Sequence, residues 1–260
     1  MALARSSHPG PVVAVTAICG LLALVAGRGI GTVLVVLAVL AGQLFVGWSN
    51  DYLDRDLDLG SGRTDKPVAR GHLQPRRVLI AAIAALVAAV PLSLASGVPA
   101  TVVHLAAIGS ATAYNLGLKA TPLSALPYAV SFSLLPAFIT LGLVHPHWPL
   151  AWIMGAAGLI GVGAHFAQAR PDVEGDRAQR IRGLPQLVGE TMSGIISALF
   201  LAAGAAVVAA ATRNPIPLVA FVPAVGVAIA KPRPAFWLTI ATAAITVLAF
   251  VAIGAPYDQS

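Results

Sequence analysis

Charge is what this chain has least of. Only 10% of its 260 residues are Asp, Glu, Lys or Arg, where a soluble domain carries about 25%. An ordinary water-facing globule is excluded. Cysteine is nearly absent too: Cys19 is the single one, so no internal disulfide can form, and its apolar surroundings mark a buried, inert thiol. There is no glycine-rich phosphate loop, so a nucleotide-hydrolysing site is not indicated. The apolar runs show no period-two alternation, which argues against a membrane barrel. Net charge is +6 and the pI is near 10.1. The basic residues nevertheless lie between apolar runs rather than in one patch, so nucleic acid is not the expected partner.

What the chain has in abundance is apolar sequence, 58% of residues, at a mean hydropathy of +0.85. Pro, Gly and charge divide it into nine apolar stretches, roughly 11–27, 30–49, 77–97, 99–118, 122–144, 148–169, 190–212, 215–230 and 234–254. Each is near the ~20 residues a helix needs to cross ~30 Å of hydrocarbon; the first and eighth are short. The stretch from Pro11 to Ala26, behind Arg5, has no clear small-x-small cleavage site and reads as an uncleaved first helix. The expected fold is all-α: a polytopic membrane protein of nine transmembrane helices in one domain over residues 1–260, in a lipid bilayer. With the N-terminus cytoplasmic, the tail and the loops after spans two, four, six and eight hold 14 of the 16 basic residues; only Arg28 and Arg213 fall outside. The positive-inside rule supports that orientation.

Nine of the ten acidic residues fall into two short islands. The first is Asn50-Asp51-Tyr52-Leu53-Asp54-Arg55-Asp56-Leu57-Asp58, with Arg63-Thr64-Asp65-Lys66-Pro67 after it. The second is Asp172-Val173-Glu174-Gly175-Asp176-Arg177, running on to Glu190. Each follows an apolar run, and both open on the side assigned to the cytoplasm. A carboxylate at bilayer depth costs at least ~2.5–3.5 kcal/mol on insertion scales, so such clusters are read first as functional sites. Each island holds an Asp-x-x-x-Asp pair, a hint of internal duplication.

If span two continues as a helix through Asp58, then Asn50, Asp51, Asp54 and Asp58 share an arc of about 100°, with Gln43 and Gly47 extending the stripe into the membrane. Asp56 falls on the other side. If span six continues likewise, His165, Gln168, Asp172 and Asp176 share an arc of about 80°, and Glu174 points away. Carboxylates on one face repel unless a cation lies between them. Mg²⁺ takes oxygen ligands and is commonly shared between one or two carboxylates and substrate phosphates. Neighbouring Arg and Lys can bind phosphate oxygens directly. Together these suit a diphosphate. The blander reading is a solvated connector pairing with its own arginines, and another is an ion-coupled transporter. Helical register and repetition weigh against the first. Placement of both islands at one membrane face weighs against the second.

NDYLDRDLD fits the Asn-Asp-x-x-Asp-x-x-x-Asp motif of the UbiA superfamily of intramembrane prenyltransferases, 4-hydroxybenzoate polyprenyltransferase-like. RTDKPVARG resembles the stretch that follows it there, with Lys66-Pro67 in place of the usual Arg-Pro. DVEGDRAQRIRGLPQLVG resembles the second Asp-x-x-x-Asp motif, with Arg180 where glycine is common. YNLGLKATPLSALPY is similar to the Tyr/Lys segment after the fourth helix, its Tyr114-to-Lys119 spacing one residue longer than the commonest form. The resemblance implies helices ringed around a central cavity, and transfer of a prenyl group from an allylic prenyl diphosphate to an acceptor. An aromatic acceptor is expected, as in quinone biosynthesis, in the cell (inner) membrane of a bacterium. It implies two Mg²⁺ ions bridging the diphosphate, with Asn50, Asp51, Asp54, Asp58, Asp172 and Asp176 as ligands. Arg63, Lys66 and Lys119 would bind the diphosphate. By their places on or beside the stripes, Tyr114, His165 and Gln168 are candidate substrate contacts, with an ordinary interfacial role for Tyr114 and helix packing for His165 as the alternatives. Alternatives within the superfamily are a terpene cyclase, or transfer to a non-aromatic sugar or glycerol phosphate.

Outside the motifs, His104 reads as a packing residue. Trp48, Trp148 and Trp152 read as an interfacial belt, and His145 and His147 lie on the outer side, away from the acids. The basic asymmetry makes one direct prediction: a cysteine placed at Ser61 is labelled from the cytoplasmic side. Labelling from the outside alone would overturn the topology.

Overall fold

The computed structural model describes residues 2–60, 67, 68 and 70–254, and among these every regular element is helical. In order they are α1 (Ala2–Arg5), α2 (Pro9–Val25), α3 (Gly31–Leu53), α4 (Arg55–Gly60), α5 (Pro75–Leu94), α6 (Val98–Asn115), α7 (Leu126–Thr140), α8 (Ala151–Ala169), α9 (Val173–Ala178), α10 (Leu184–Val188), α11 (Glu190–Thr212), α12 (Phe221–Ile229) and α13 (Pro232–Ile253). Short 3₁₀ turns lie at Leu118–Ala120, Arg170–Asp172 and Ile216–Ala220. Prolines sit in the first turn of α2, α5, α6, α7 and α13, where the missing N–H would have no helical partner anyway.

Each apolar stretch read from the sequence contains a helix. By length and composition, α3, α5, α11 and α13 can each cross a membrane. Other apolar helices are shorter: α2 has 17 residues and α7 has 15, about 25 and 22 Å of helix. The nine crossings therefore remain an expectation. Many large apolar side chains point outward, among them Ile80, Val87, Val102, Val222 and Leu248, all more than half exposed. That is a surface made for lipid rather than water.

Chain neighbours pack side by side from α2 round to α13, which closes against α2. Small residues allow the close approaches. In α8, a Cβ on Gly161 would meet the Tyr128 carbonyl oxygen at 2.7 Å, and one on Gly163 would meet Leu201 Cγ at 2.7 Å. Gly204 of α11 answers from the other side, where a Cβ would lie 2.8 Å from Ile160. Thus α8, which leads into the second acidic island, is wedged between α7 and α11. Away from the islands, Cys19, Val35, Val39, Phe138 and Ile139 form a buried apolar cluster. His104 is a packing residue: its Nδ1 lies 2.7 Å from Ser93 Oγ and its ring stacks on Phe138 at 4.4 Å. At the opposite end from the islands, Arg28 donates to Ser96 Oγ at 2.6 Å.

Both acid-bearing helices are interrupted where continuous helix was expected. Span two breaks at Asp54 before α4, although Asp54 N–H still donates to Asn50 O at 2.9 Å and Asp58 N–H to Asp54 O at 2.8 Å. Those bonds carry the register across the break. Span six tightens into a 3₁₀ turn over Arg170–Asp172. Pro171 explains that, since it has no N–H and its ring crowds the preceding turn.

The α8 packing yields a paired prediction. Gly161→Ala should cost about 1–3 kcal/mol through overpacking. Gly155→Ala, with nothing within 4 Å, should be neutral or stabilising by ~0.5–1 kcal/mol. Thermal unfolding of the two variants in one detergent checks the contrast.

Candidate active site

The two interrupted helices meet at the mouth of a cavity of about 500 Å³. Its polar lining includes Asn50, Asp54 and Asp58 from the first island, and Asp172, Asp176 and Gln179 from the second. Asn115 and Lys119 come from the end of α6 and the turn after it, and Gln186 from α10. Deeper, the wall turns mostly apolar, with Val12, Val15, Ile18, Phe132, Ile160, Ile240 and Ala243, and with Gln43 among them. From Asp54 down to Gln43 is about 16 Å of helix. The shape suits an amphiphile with an anionic head and an apolar tail.

Asp54 is gripped from two sides. Lys119 Nζ forms an ion pair with its Oδ1, and Asn50 Nδ2 donates to its Oδ2 at 2.9 Å. Asn50 also donates to Asn115 Oδ1 at 3.2 Å, and Asn115 Nδ2 donates to the Val46 carbonyl and to Ser49 Oγ, each at 3.0 Å. The end of α6 and the turn after it are thereby tied to the end of α3. In the second island, Asp176 Oδ2 accepts from Gln186 Nε2 at 2.7 Å. Arg177 donates through Nε to the Gln186 carbonyl and through Nη2 to the Leu187 carbonyl at 3.2 Å, fastening α9 to α10. Arg170, only 5% exposed, donates to the Val227 and Ala230 carbonyls at 2.7 and 3.0 Å. It caps α12 as a cation at a helix C-terminus should.

Asp56 and Glu174 stand outside the cavity, each with a side chain 77% exposed, beside Arg55 at 3.3 Å and Arg177 at 3.7 Å. Asp51 does not share the cavity face with Asp54. It is 1% exposed, and its Oδ1 lies 3.9 Å from His8 Nε2. Arg63 and Lys66 lie outside the described residues. Arg180 takes φ 62°, the left-handed region that a glycine would enter freely and that costs a side-chain-bearing residue about 1–2 kcal/mol.

Tyr114 and Gln168 line the cavity. His165 sits one layer behind, 2% exposed, with Nε2 3.1 Å from Ser124 Oγ and its ring 5.6 and 5.0 Å from Tyr114 and Tyr128. Tyr128 also lines the cavity and donates to Gln168 Oε1 at 3.1 Å. Tyr128, Gln186 and His8 were not singled out from sequence. Tyr128 and Gln186 lie within the motif-like segments, where a local reading had no means to rank them. For His8 there was no local signal.

A model of the UbiA prenyltransferase family matches residues 12–253. The chain belongs to that family. Among curated relatives, the digeranylgeranylglyceryl phosphate synthase of Natronomonas pharaonis is 29% identical over 216 residues, 81% of this chain and 75% of that protein. The synthase of the same name from Archaeoglobus fulgidus is 29% identical over 172 residues; the match covers 65% of this chain but only 56% of that protein. Among solved structures, a UbiA homolog from A. fulgidus bound to GPP and Mg²⁺ superposes with a TM-score of 0.71 at 18% identity, over 98% of each chain. An apo UbiA homolog from Aeropyrum pernix gives 0.71 at 18% identity, over 93% of this chain and 97% of that one. At that identity the likeness establishes the fold.

Ser124 holds the family's second acidic loop to the aromatic layer beneath it. It is fully buried, contacts His165 and accepts the Leu184 N–H at 2.9 Å. Ser124→Ala should therefore cost about 1–3 kcal/mol, the penalty for stranding buried polar groups, measured as a shift of the thermal midpoint.

Proposed function

We propose that this chain transfers a prenyl group from an allylic prenyl diphosphate to the hydroxyl of a prenylated glycerol phosphate, with Mg²⁺ as cofactor. Family membership supports prenyl transfer. The names of the archaeal relatives favour a glycerol phosphate acceptor over the aromatic acceptor expected from the motifs, and give no particular support to quinone biosynthesis or to a bacterial membrane. The observation that carries the reading is the cavity itself, where two acidic islands from separate helices face one mouth above an apolar interior.

The donor set suits Mg²⁺, since every proposed ligand is an oxygen: the Asn50 amide and the carboxylates of Asp54, Asp58, Asp172 and Asp176. Among the described residues no three His, Cys, Asp or Glu side chains converge on one point. An ion held by one or two carboxylates and completed by substrate oxygens is the normal habit of Mg²⁺. When bound, it neutralises charge building on the leaving diphosphate. Asp51, turned toward His8, is left out of this set.

Lys119, which pairs with Asp54, would contact diphosphate oxygens as a point charge. The apolar wall from Val12 to Ile240 takes the prenyl tail and keeps water from the allylic cation. Tyr114 and Tyr128 present aromatic rings in the same cavity, and such rings stabilise a cation through their quadrupole. Tyr128 is held by Gln168, and both rings rest on His165.

The test is product analysis. Purified protein is given Mg²⁺ and geranylgeranyl diphosphate with either geranylgeranylglyceryl phosphate or 4-hydroxybenzoate. A product carrying two prenyl groups on glycerol phosphate is expected, abolished by chelation. An aromatic product alone, or a cyclised hydrocarbon, would overturn the acceptor assignment. Asp54→Ala and Asp58→Ala should each lower turnover at least about a hundredfold, the scale of losing a transition-state charge contact. Asp56→Ala, at an exposed side chain outside the cavity lining, should cost far less; equal damage in folded protein would sink the register argument.

A further inference from the structure

His8 is a cavity residue outside the set proposed for diphosphate binding. It lines the cavity from the segment joining α1 to α2, which carries neither acidic island. Its backbone is in the left-handed region, at φ 57° and ψ 66°. A residue with a Cβ rarely adopts that region, and the following Pro9 pushes its neighbour toward extended backbone instead. Strain of this kind persists only where the surroundings impose it, and it concentrates at functional sites.

The segment just before His8 is held tightly against α3. Gly47 of α3 lies against Ser7, so closely that any Cβ there would run into the Ser7 backbone. Trp48 Nε1 donates to the Leu3 carbonyl at 2.9 Å. Ser6 and Ser7, both buried, donate to the Leu3 and Ala4 carbonyls at 3.1 and 2.9 Å. The result places the His8 imidazole in the cavity wall with the buried Asp51 carboxylate 3.9 Å from its Nε2. This also accounts for Asp51, which sits in the acidic motif but off the cavity face.

We propose that His8, oriented by Asp51, is the residue that hydrogen-bonds the acceptor's hydroxyl group; this rests on the reading of the chain as a transferase to a hydroxyl-bearing prenylated glycerol phosphate. The chemistry favours a neutral hydroxyl over a second phosphate. The Asp51 carboxylate near Nε2 repels an anion, whereas the ring nitrogen that does not face Asp51 can hydrogen-bond an OH. The ring's place in the same cavity as the diphosphate-facing carboxylates allows one bound hydroxyl and one bound allylic group to meet.

The test compares wild type with His8→Ala, His8→Gln and Gly47→Ala, using Mg²⁺, geranylgeranyl diphosphate and geranylgeranylglyceryl phosphate. His8→Ala should raise KM for the glycerol phosphate acceptor at least tenfold and move KM for the diphosphate less than twofold. His8→Gln, whose amide can still hydrogen-bond, should recover much of that loss. Gly47→Ala, whose Cβ would run into the Ser7 backbone, should show the same split as His8→Ala. An unchanged acceptor KM in His8→Ala would overturn the assignment, as would equal increases in both KM values, the mark of a merely structural role. Wild-type protein that consumes geranylgeranyl diphosphate yet transfers to no hydroxyl acceptor would overturn the functional reading itself, and this inference with it.

Discussion

Asp54 held between Asn50 and Lys119 is the interaction on which the rest of the site depends. A carboxylate at a membrane helix end has little water to stabilise it, so its partners must come from the protein. Here they come from two segments: Asn50 one turn earlier in α3, and Lys119 in the turn after α6. Asn115 then anchors the same corner to Val46 and Ser49. Satisfying one charge thus fixes how two helices and a loop meet, and that meeting forms one side of the cavity mouth.

The second island is fixed by a different means. Close packing of α8, through glycines that admit the Tyr128 carbonyl and Leu201, sets the depth of the helix that leads into it. Arg170, buried and bonded to the end of α12, then holds the turn at Pro171. Gln186 and Arg177 close the loop from the far side. The first island is positioned by polar contacts at its own level, the second by close packing beneath it together with the hydrogen bonds of Arg170, Arg177 and Gln186. Both devices are needed because lipid supplies neither water for the charges nor a hydrophobic driving force between helices.

The acidic register was legible in the sequence because it is a local property. Helical spacing alone placed Asp54 and Asp58 together and turned Asp56 and Glu174 away, and the cavity lining has that arrangement. The interruptions at Asp54 and Pro171 did not disturb it, since i to i−4 bonds continue across the first. Asp51 was misplaced by the same argument. An arc on a helical wheel does not say what lies opposite each residue, and a chain segment more than forty residues away lies opposite this one. His165 shared the predicted stripe, yet aromatic rings from α6 and α7 stand around it.

By itself, then, the sequence determined the helical class, the apolar exterior, the two acidic corners and which of their carboxylates share a face. These follow from hydropathy and from 3.6-residue periodicity, both of which act within one segment. Only the tertiary structure decided that Lys119 and Gln186 grip Asp54 and Asp176, that Tyr128 enters the cavity wall, and that His8 is set beside Asp51. Each of those contacts joins residues from different segments, and whether they meet depends on where glycine lets two backbones approach. That depends on which helix lies opposite, which no single segment encodes.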